Sequence, residues 1–281
     1  MGLLRMEKKK DIKKFSWRIF WYEMLGTGLL LLIGLSLVTV MFGTGSPIVK
    51  WIPYIGYRRL ITGFLFGSTG ALIAISPIGK VSGAHINPVV TMAFLLFRKI
   101  DLRTALSYVL GQFAGAVVGC LPLLAWGSMG RSVDFGATIP GAGYALSTVL
   151  LGEIVTTFTM VSMLSLFLGF RHLRPYTPAI FPILYSIMSF LEAGISGTST
   201  NPARSLGPSV ISGQYDGWWI YWAGPVTGAF LSTLAMSFVA KRITEARLYH
   251  FDQESDRLFR KKDASNPDIK IITRNTTEIK T

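Results

Sequence analysis

Charge and thiols are scarce in this chain. Asp, Glu, Lys and Arg make up 15% of its 281 residues, where a soluble domain carries about a quarter. A single cysteine, Cys120, excludes an intramolecular disulfide, and its apolar neighbours mark it as a packing residue. There are three histidines, and His, Cys, Asp and Glu nowhere recur at metal-ligand spacing. Neither a nucleophile–base set nor a glycine-rich phosphate loop is evident. An enzyme is therefore not expected, and neither is a cofactor or a bound metal. Acidic residues are the scarcest charges, 15 against 28 basic, for a formal net charge of +13. In a soluble protein that excess would suit nucleic acid; the hydrophobic pattern assigns it differently.

Half of the residues are hydrophobic, and they fall in six long blocks: Phe15–Phe42, Leu60–Ile78, Thr104–Trp126, Tyr144–Phe170, Tyr176–Ile195 and Trp218–Ala240. About 20 apolar residues in helix cross the hydrocarbon of a bilayer. Six such blocks leave too little polar surface for a soluble protein, so the expected class is an all-α membrane protein. Basic residues gather in alternate connections. Lys8, Lys9, Lys10, Lys13 and Lys14 precede the first block, Arg98, Lys99 and Arg103 precede the third, Arg171, His172 and Arg174 follow the fourth, and Lys241 and Arg242 follow the sixth. With six crossings these lie on one side, which the positive-inside rule makes cytoplasmic; both termini are expected there. Nucleic acid then drops out as a partner, and lipid takes its place. Arg58 and Arg59 fall on the other side and break the pattern. The start of the chain does not resemble a cleaved signal peptide. No organelle signal is evident, which suits a plasma membrane or a bacterial inner membrane.

The chain repeats. His85-Ile86-Asn87-Pro88-Val89-Val90-Thr91 has a partner in Ser199-Thr200-Asn201-Pro202-Ala203-Arg204-Ser205, each after a Ser-Gly pair, Ser82-Gly83 and Ser196-Gly197. Gly111-Gln112-Phe113-Ala114-Gly115 is mirrored by Gly224-Pro225-Val226-Thr227-Gly228, and Glu23 and Glu153 each sit inside the first block of a half. Three crossings per half is odd, so the second half is inverted relative to the first. The expected division is a basic cytoplasmic segment over 1–14, a first repeat over 15–126, an extracellular connection over 127–143, a second repeat over 144–240 and a polar cytoplasmic tail over 241–281. The apolar stretches after the Asn-Pro pairs are too short to span. Asn suits a helix cap and Pro its first turn, so each reads as a re-entrant half-helix with its positive end at the membrane centre. Glycines four apart (Gly111, Gly115, Gly119; Gly224, Gly228) suit close helix contacts.

At these motifs the chain resembles the aquaporin (major intrinsic protein) family. Ser82 to Val89 looks like its first signature and Gly197 to Ser205 like its second; Val89 stands where Ala is usual. The resemblance implies six transmembrane helices plus two half-helices, a homotetramer, and one pore per subunit passing water or a small neutral solute. It implies a central constriction of Asn87, Asn201, Pro88, Pro202, Val89 and Ala203. It implies a filter of Arg204, Thr198, Ser189 and either Phe66 or Gly67, with His85 at the inner mouth. Glu23 and Glu153 would be buried acids bracing the dipping loops. Glu192, three residues after Ser189, would reach the outer vestibule or brace the Thr198 loop. Ser205, Tyr221 and Trp222 favour water, whereas Ser189 and Thr198 make a wider filter. The main expectation is a passive water channel. The alternatives are a facilitator for glycerol, urea or a similar solute, and a non-conducting structural membrane protein.

Overall fold

The structure is a computed structural model that describes residues 15–240. The basic segment 1–14 and the tail 241–281 lie outside the described residues. Eight helices carry the architecture: α1 (Trp17–Phe42), α2 (Ile55–Ile75), α3 (Pro88–Leu96), α4 (Leu102–Cys120), α5 (Leu146–Gly169), α6 (Thr177–Glu192), α7 (Pro202–Ser212) and α8 (Ile220–Ala235). Short helical turns fill several connections, and the described residues include no strand. The protein is an all-helical membrane protein in which α1, α2, α4, α5, α6 and α8 cross and α3 and α7 are re-entrant.

Helices α1, α2 and α5, and α4 together with the helical turns that continue it to Arg131, are each long and apolar enough to cross. Helices α6 and α8 have 16 residues each and carry Pro182 and Pro225 inside them. Sixteen residues rise only about 24 Å. The 3₁₀ turn Arg174–Tyr176 lengthens the first, and the turn Ser237–Ala240 the second. Helix α2 starts five residues before the apolar block read from sequence, because Arg58 and Arg59 lie within its first turns. Beyond Cys120, α4 tightens into a 3₁₀ stretch, Leu121–Trp126, around Pro122.

Large apolar side chains point outward at helical spacing: Trp17, Trp21 and Leu25 on α1, Leu102, Leu106 and Leu110 on α4, Ile183, Ile187 and Leu191 on α6. In water such stripes would promote association; a bilayer or a neighbouring subunit accommodates them. With hydrophobic attraction between helices absent there, close packing must hold them together. A Cβ on Gly115 would lie 2.2 Å from Met24 O, and one on Gly119 2.4 Å from Gly28 Cα, so α1 and α4 touch backbone to backbone. Gly228 meets Ile154 O on α5 in the corresponding place. A third contact, unnoticed in the sequence, joins the halves. Gly63 and Gly67 of α2 lie against Tyr185 O and Phe181 O of α6.

The basic pair that broke the charge pattern has local partners. Arg58 donates to Met41 O at 2.8 Å and covers the Phe42 ring, tying the start of α2 to the end of α1. Arg59 rests against Gly194 and lines the outer cavity described below.

The half-helices end differently. Helix α7 stops at Gly213, whose φ is +74°. After α3, Lys99 N–H bonds Phe94 O and Arg98 N–H bonds Leu95 O, with Arg98 at φ +58°. This pattern usually carries glycine at the left-handed position. A side chain there costs about 1–2 kcal/mol.

Candidate functional site

Each Asn-Pro motif starts its helix in the same way. Asn87 Oδ1 accepts from Val89 N at 3.0 Å, and Asn201 Oδ1 from Ala203 N at 3.0 Å and Arg204 N at 3.3 Å. Pro88 and Pro202 occupy the first helical position, where a missing N–H is harmless. Each asparagine then reaches across to the opposite loop: Asn87 Nδ2 donates to Thr200 O and Asn201 Nδ2 to Ile86 O, both at 2.9 Å. The helices therefore meet N-terminus to N-terminus, and Val89 and Ala203 are buried behind the junction.

The loops before the asparagines are strained. Ala84, Ile86, Thr198 and Thr200 all have φ between +41° and +51°, a region that β-branched residues rarely adopt. Two buried glutamates hold them there. Glu23 accepts from Ser82 Oγ at 2.6 Å, His85 N at 3.0 Å, Ile86 N at 2.7 Å and Gln112 Nε2 at 2.8 Å. Glu153 accepts from Ser196 Oγ at 2.5 Å, Ser199 N at 2.7 Å and Thr200 N at 2.9 Å. Tyr108 OH and Tyr221 OH donate to Ser82 O and Ser196 O respectively. Satisfied backbone N–H groups are what allow a carboxylate to stay buried. Tyr221, read from the sequence as a mark of water channels, is thus a loop anchor here.

Two cavities flank the strained loops. The inner one is lined by Gly67, His85, Ile86, Asn87, Asn201 and Phe181, among others; the outer one by Arg59, Thr62, Gly63, Ser189, Gly197 and Thr198, among others. Phe66, Tyr185, Ser199 and Arg204 line both and separate them. Of the two α2 candidates, Phe66 is at this junction and Gly67 lies below it against α6. The Phe66 ring fits because Gly34 has no side chain, since a Cβ there would be 2.3 Å away. Arg204 is buried, lies 6.0 Å from the Phe66 ring centre and donates to Gly136 O at 2.7 Å. Ser189 and Thr198 line the outer cavity only.

His85 is 2% exposed, its ring stacked on Tyr108 at 4.0 Å and its Nδ1 3.1 Å from Thr91 Oγ1. Glu192 lines neither cavity; its carboxylate lies against Gly152 of α5 and faces Ser196 and Thr198 of the second loop. Cys120 is buried against Leu31, Ala116 and Ala203, away from both cavities.

Two contributors escaped the sequence reading. Tyr185 stacks between Phe66 and Phe181 and shares a hydrogen bond with Thr200 Oγ1 at 2.7 Å. It stands one helical turn before Ser189 on the same face, which was the available signal. The segment 127–143, read as a plain connection, supplies Gly136 O to Arg204, and Thr138 Oγ1 lies 2.7 Å from Ser205 Oγ.

An inverted repeat whose broken helices meet between two cavities defines a membrane channel. Residues 10–236 match the model of the major intrinsic protein family, and the chain belongs to that family. It is 32% identical to the lens fiber major intrinsic protein of Gallus gallus over 78% of this chain and 79% of that protein. It is 32% identical to Aquaporin-6 of Rattus norvegicus over 71% of each, and 38% identical to Aquaporin PIP1-6 of Zea mays over 61% of each. The X-ray structure of the aquaglyceroporin from Plasmodium falciparum superposes with a TM-score of 0.66 at 21% identity, covering 79% of this chain and 96% of that one. That likeness concerns the fold.

Proposed function

We propose that this channel conducts water in single file and excludes protons and ions. The carrying observation is the reciprocal asparagine pair. One hydrogen of each amide is committed to the opposite loop. The second is available to the inner cavity, which both asparagines line; for Asn87 its other partner among the described residues is the Met160 sulfur at 4.0 Å. A water accepting from both amides turns its own hydrogens towards the two mouths, which interrupts the hydrogen-bonded wire that a proton needs. The positive ends of α3 and α7 converge there and oppose cations.

Arg204, Phe66 and Tyr185 form the selectivity filter in this reading, with Ser189 and Thr198 as its outer lip. Arg204 offers donors to the passing solute, and two aromatic rings narrow the path facing it. A second reading, a facilitator for glycerol or urea, draws support from the small residues Gly63 and Ser189 in the outer cavity. The cation pattern supports cytoplasmic termini, and family resemblance supports a homotetramer in a plasma or bacterial inner membrane.

Stopped-flow light scattering on proteoliposomes tests this. Fast shrinkage in a sucrose jump, with no fast re-swelling after glycerol or urea jumps, is expected. Re-swelling well above empty liposomes would replace water with small neutral solutes as the cargo. Water flow equal to that of empty liposomes would refute a channel reading.

A further inference from the structure

We propose that a groove between the end of α3 and the last turns of α8 binds an anionic phospholipid. A cavity of about 520 Å³ lies there, lined by Leu96, Arg98, Lys99, Phe230, Leu234 and Ser237, with Phe97 and Thr233. Phe230, Leu234 and Ser237 follow one another at three- and four-residue spacing, so they form one face of α8 and the turn after it. Phe230 is 53% exposed, Leu234 66% and Leu96 42%. Arg98 and Lys99 line this otherwise apolar trough, and no acid lines it among the described residues. Asp101, close by in sequence, caps α4, accepting from Thr104 N and Thr104 Oγ1.

The groove also lies at the right depth. Arg98 and Lys99 follow the outward end of a half-helix, on the side where Arg103, Arg171 and Arg174 gather, hence at the headgroup level. An apolar trough that also carries two cations complements one acyl chain with one negative headgroup. Arg98 carries a second, independent sign. It occupies the left-handed position of the α3 cap, with φ +58°, where α7 ends on Gly213. Glycine would serve the backbone better, so the backbone does not call for an arginine there. The guanidinium is what the position gains.

The test uses the full-length protein in detergent, with native mass spectrometry during titration by phosphatidylglycerol or phosphatidylcholine. Phosphatidylglycerol is expected to be retained preferentially. Arg98→Gly and Lys99→Gln are each expected to weaken its retention about fivefold, the effect of one headgroup-level cation. Arg98→Gly relieves the cap and is expected to melt no lower than the parent, which separates lost binding from misfolding. The double variant Arg171→Gln/Arg174→Gln, on the same side but not lining the groove, is expected to keep the preference. Equal loss in that control would reduce the effect to diffuse charge and overturn the proposal. So would unchanged retention in both groove variants. Displacement of the lipid by inorganic phosphate alone would leave the trough without a role and also overturn it. Binding that appears only after removal of residues beyond Ala240 would make that segment the occupant instead.

Discussion

Replacing Glu153 with glutamine tests the bracing of the second loop with little change of shape. The carboxylate accepts from Ser196 Oγ and Ser199 N at Oε1 and from Thr200 N at Oε2. A glutamine oxygen can keep the first two donors, but its NH₂ then faces Thr200 N–H, donor against donor. The two retained bonds lose their charge assistance, about 1 kcal/mol each, and a buried unpaired N–H costs about 1–3 kcal/mol more. Relief of a buried charge offsets part of this, so the net loss is about 2–4 kcal/mol. At about 2–4 °C per kcal/mol for a chain of this size, the melting midpoint in detergent falls by roughly 5–15 °C. The functional loss follows the same route. Thr200, released, relaxes from φ +51°, and its carbonyl is the acceptor for Asn87 Nδ2. Water permeability in proteoliposomes is therefore expected to fall with the midpoint. Ser196→Ala, which removes one donor of the three, should fall between the variant and the parent. A Glu153→Gln protein melting within about 2 °C of the parent, with unchanged water flow, would refute the bracing argument.

Tyr185→Ala removes one of the two rings separating the cavities and is expected to raise glycerol permeability severalfold while water flow persists; solute-jump re-swelling reads both. Arg204→Ala is expected to loosen proton and solute exclusion more than it lowers water flow, measured with a pH-sensitive dye inside the vesicles; an unchanged proton leak would count against its filter role. Gly115→Val drives a side chain into Met24 O, 2.2 Å from the first added carbon, and should destabilise by about 3 kcal/mol or more. Gly70→Ala, whose nearest neighbour is 3.8 Å away, should melt like the parent. Low doses of a mercurial should leave water flow intact, since Cys120 lines neither cavity; inhibition that vanishes in Cys120→Ser would show otherwise.

The half-helices were legible in the sequence because their signals are local. Asn as cap, Pro in the first turn and a following apolar stretch too short to span all lie within a few residues of one another. The crossings were legible too, though their ends were not. Arg58 and Arg59 depress the hydropathy of the first turns of α2, yet a hydrogen bond to Met41 O and the mouth of a cavity accommodate them. The cavity walls were harder to read. That Tyr185 faces the junction follows from how closely α6 lies on α2, and that distance is decided by Gly63 and Gly67 pressing on the α6 backbone, a contact between residues about 120 positions apart. No local pattern encodes it. The family resemblance points to Ser189, one turn further out. Gly136 was equally hidden, because a backbone carbonyl leaves no trace in residue type.

The bracing of the two loops bears on how the molecule is assembled. Glu23, Tyr108 and Gln112 serve the first loop from within residues 15–126; Glu153 and Tyr221 serve the second from within residues 144–240. Each half thus braces its own loop with its own side chains. The Asn87 and Asn201 amides are different, since each finds its carbonyl on the other half. A half emerging alone from the ribosome can settle its loop but must leave that amide idle. Only docking of the two halves closes the pair. The junction between the two cavities and the contact between the halves are therefore completed by the same pair of hydrogen bonds.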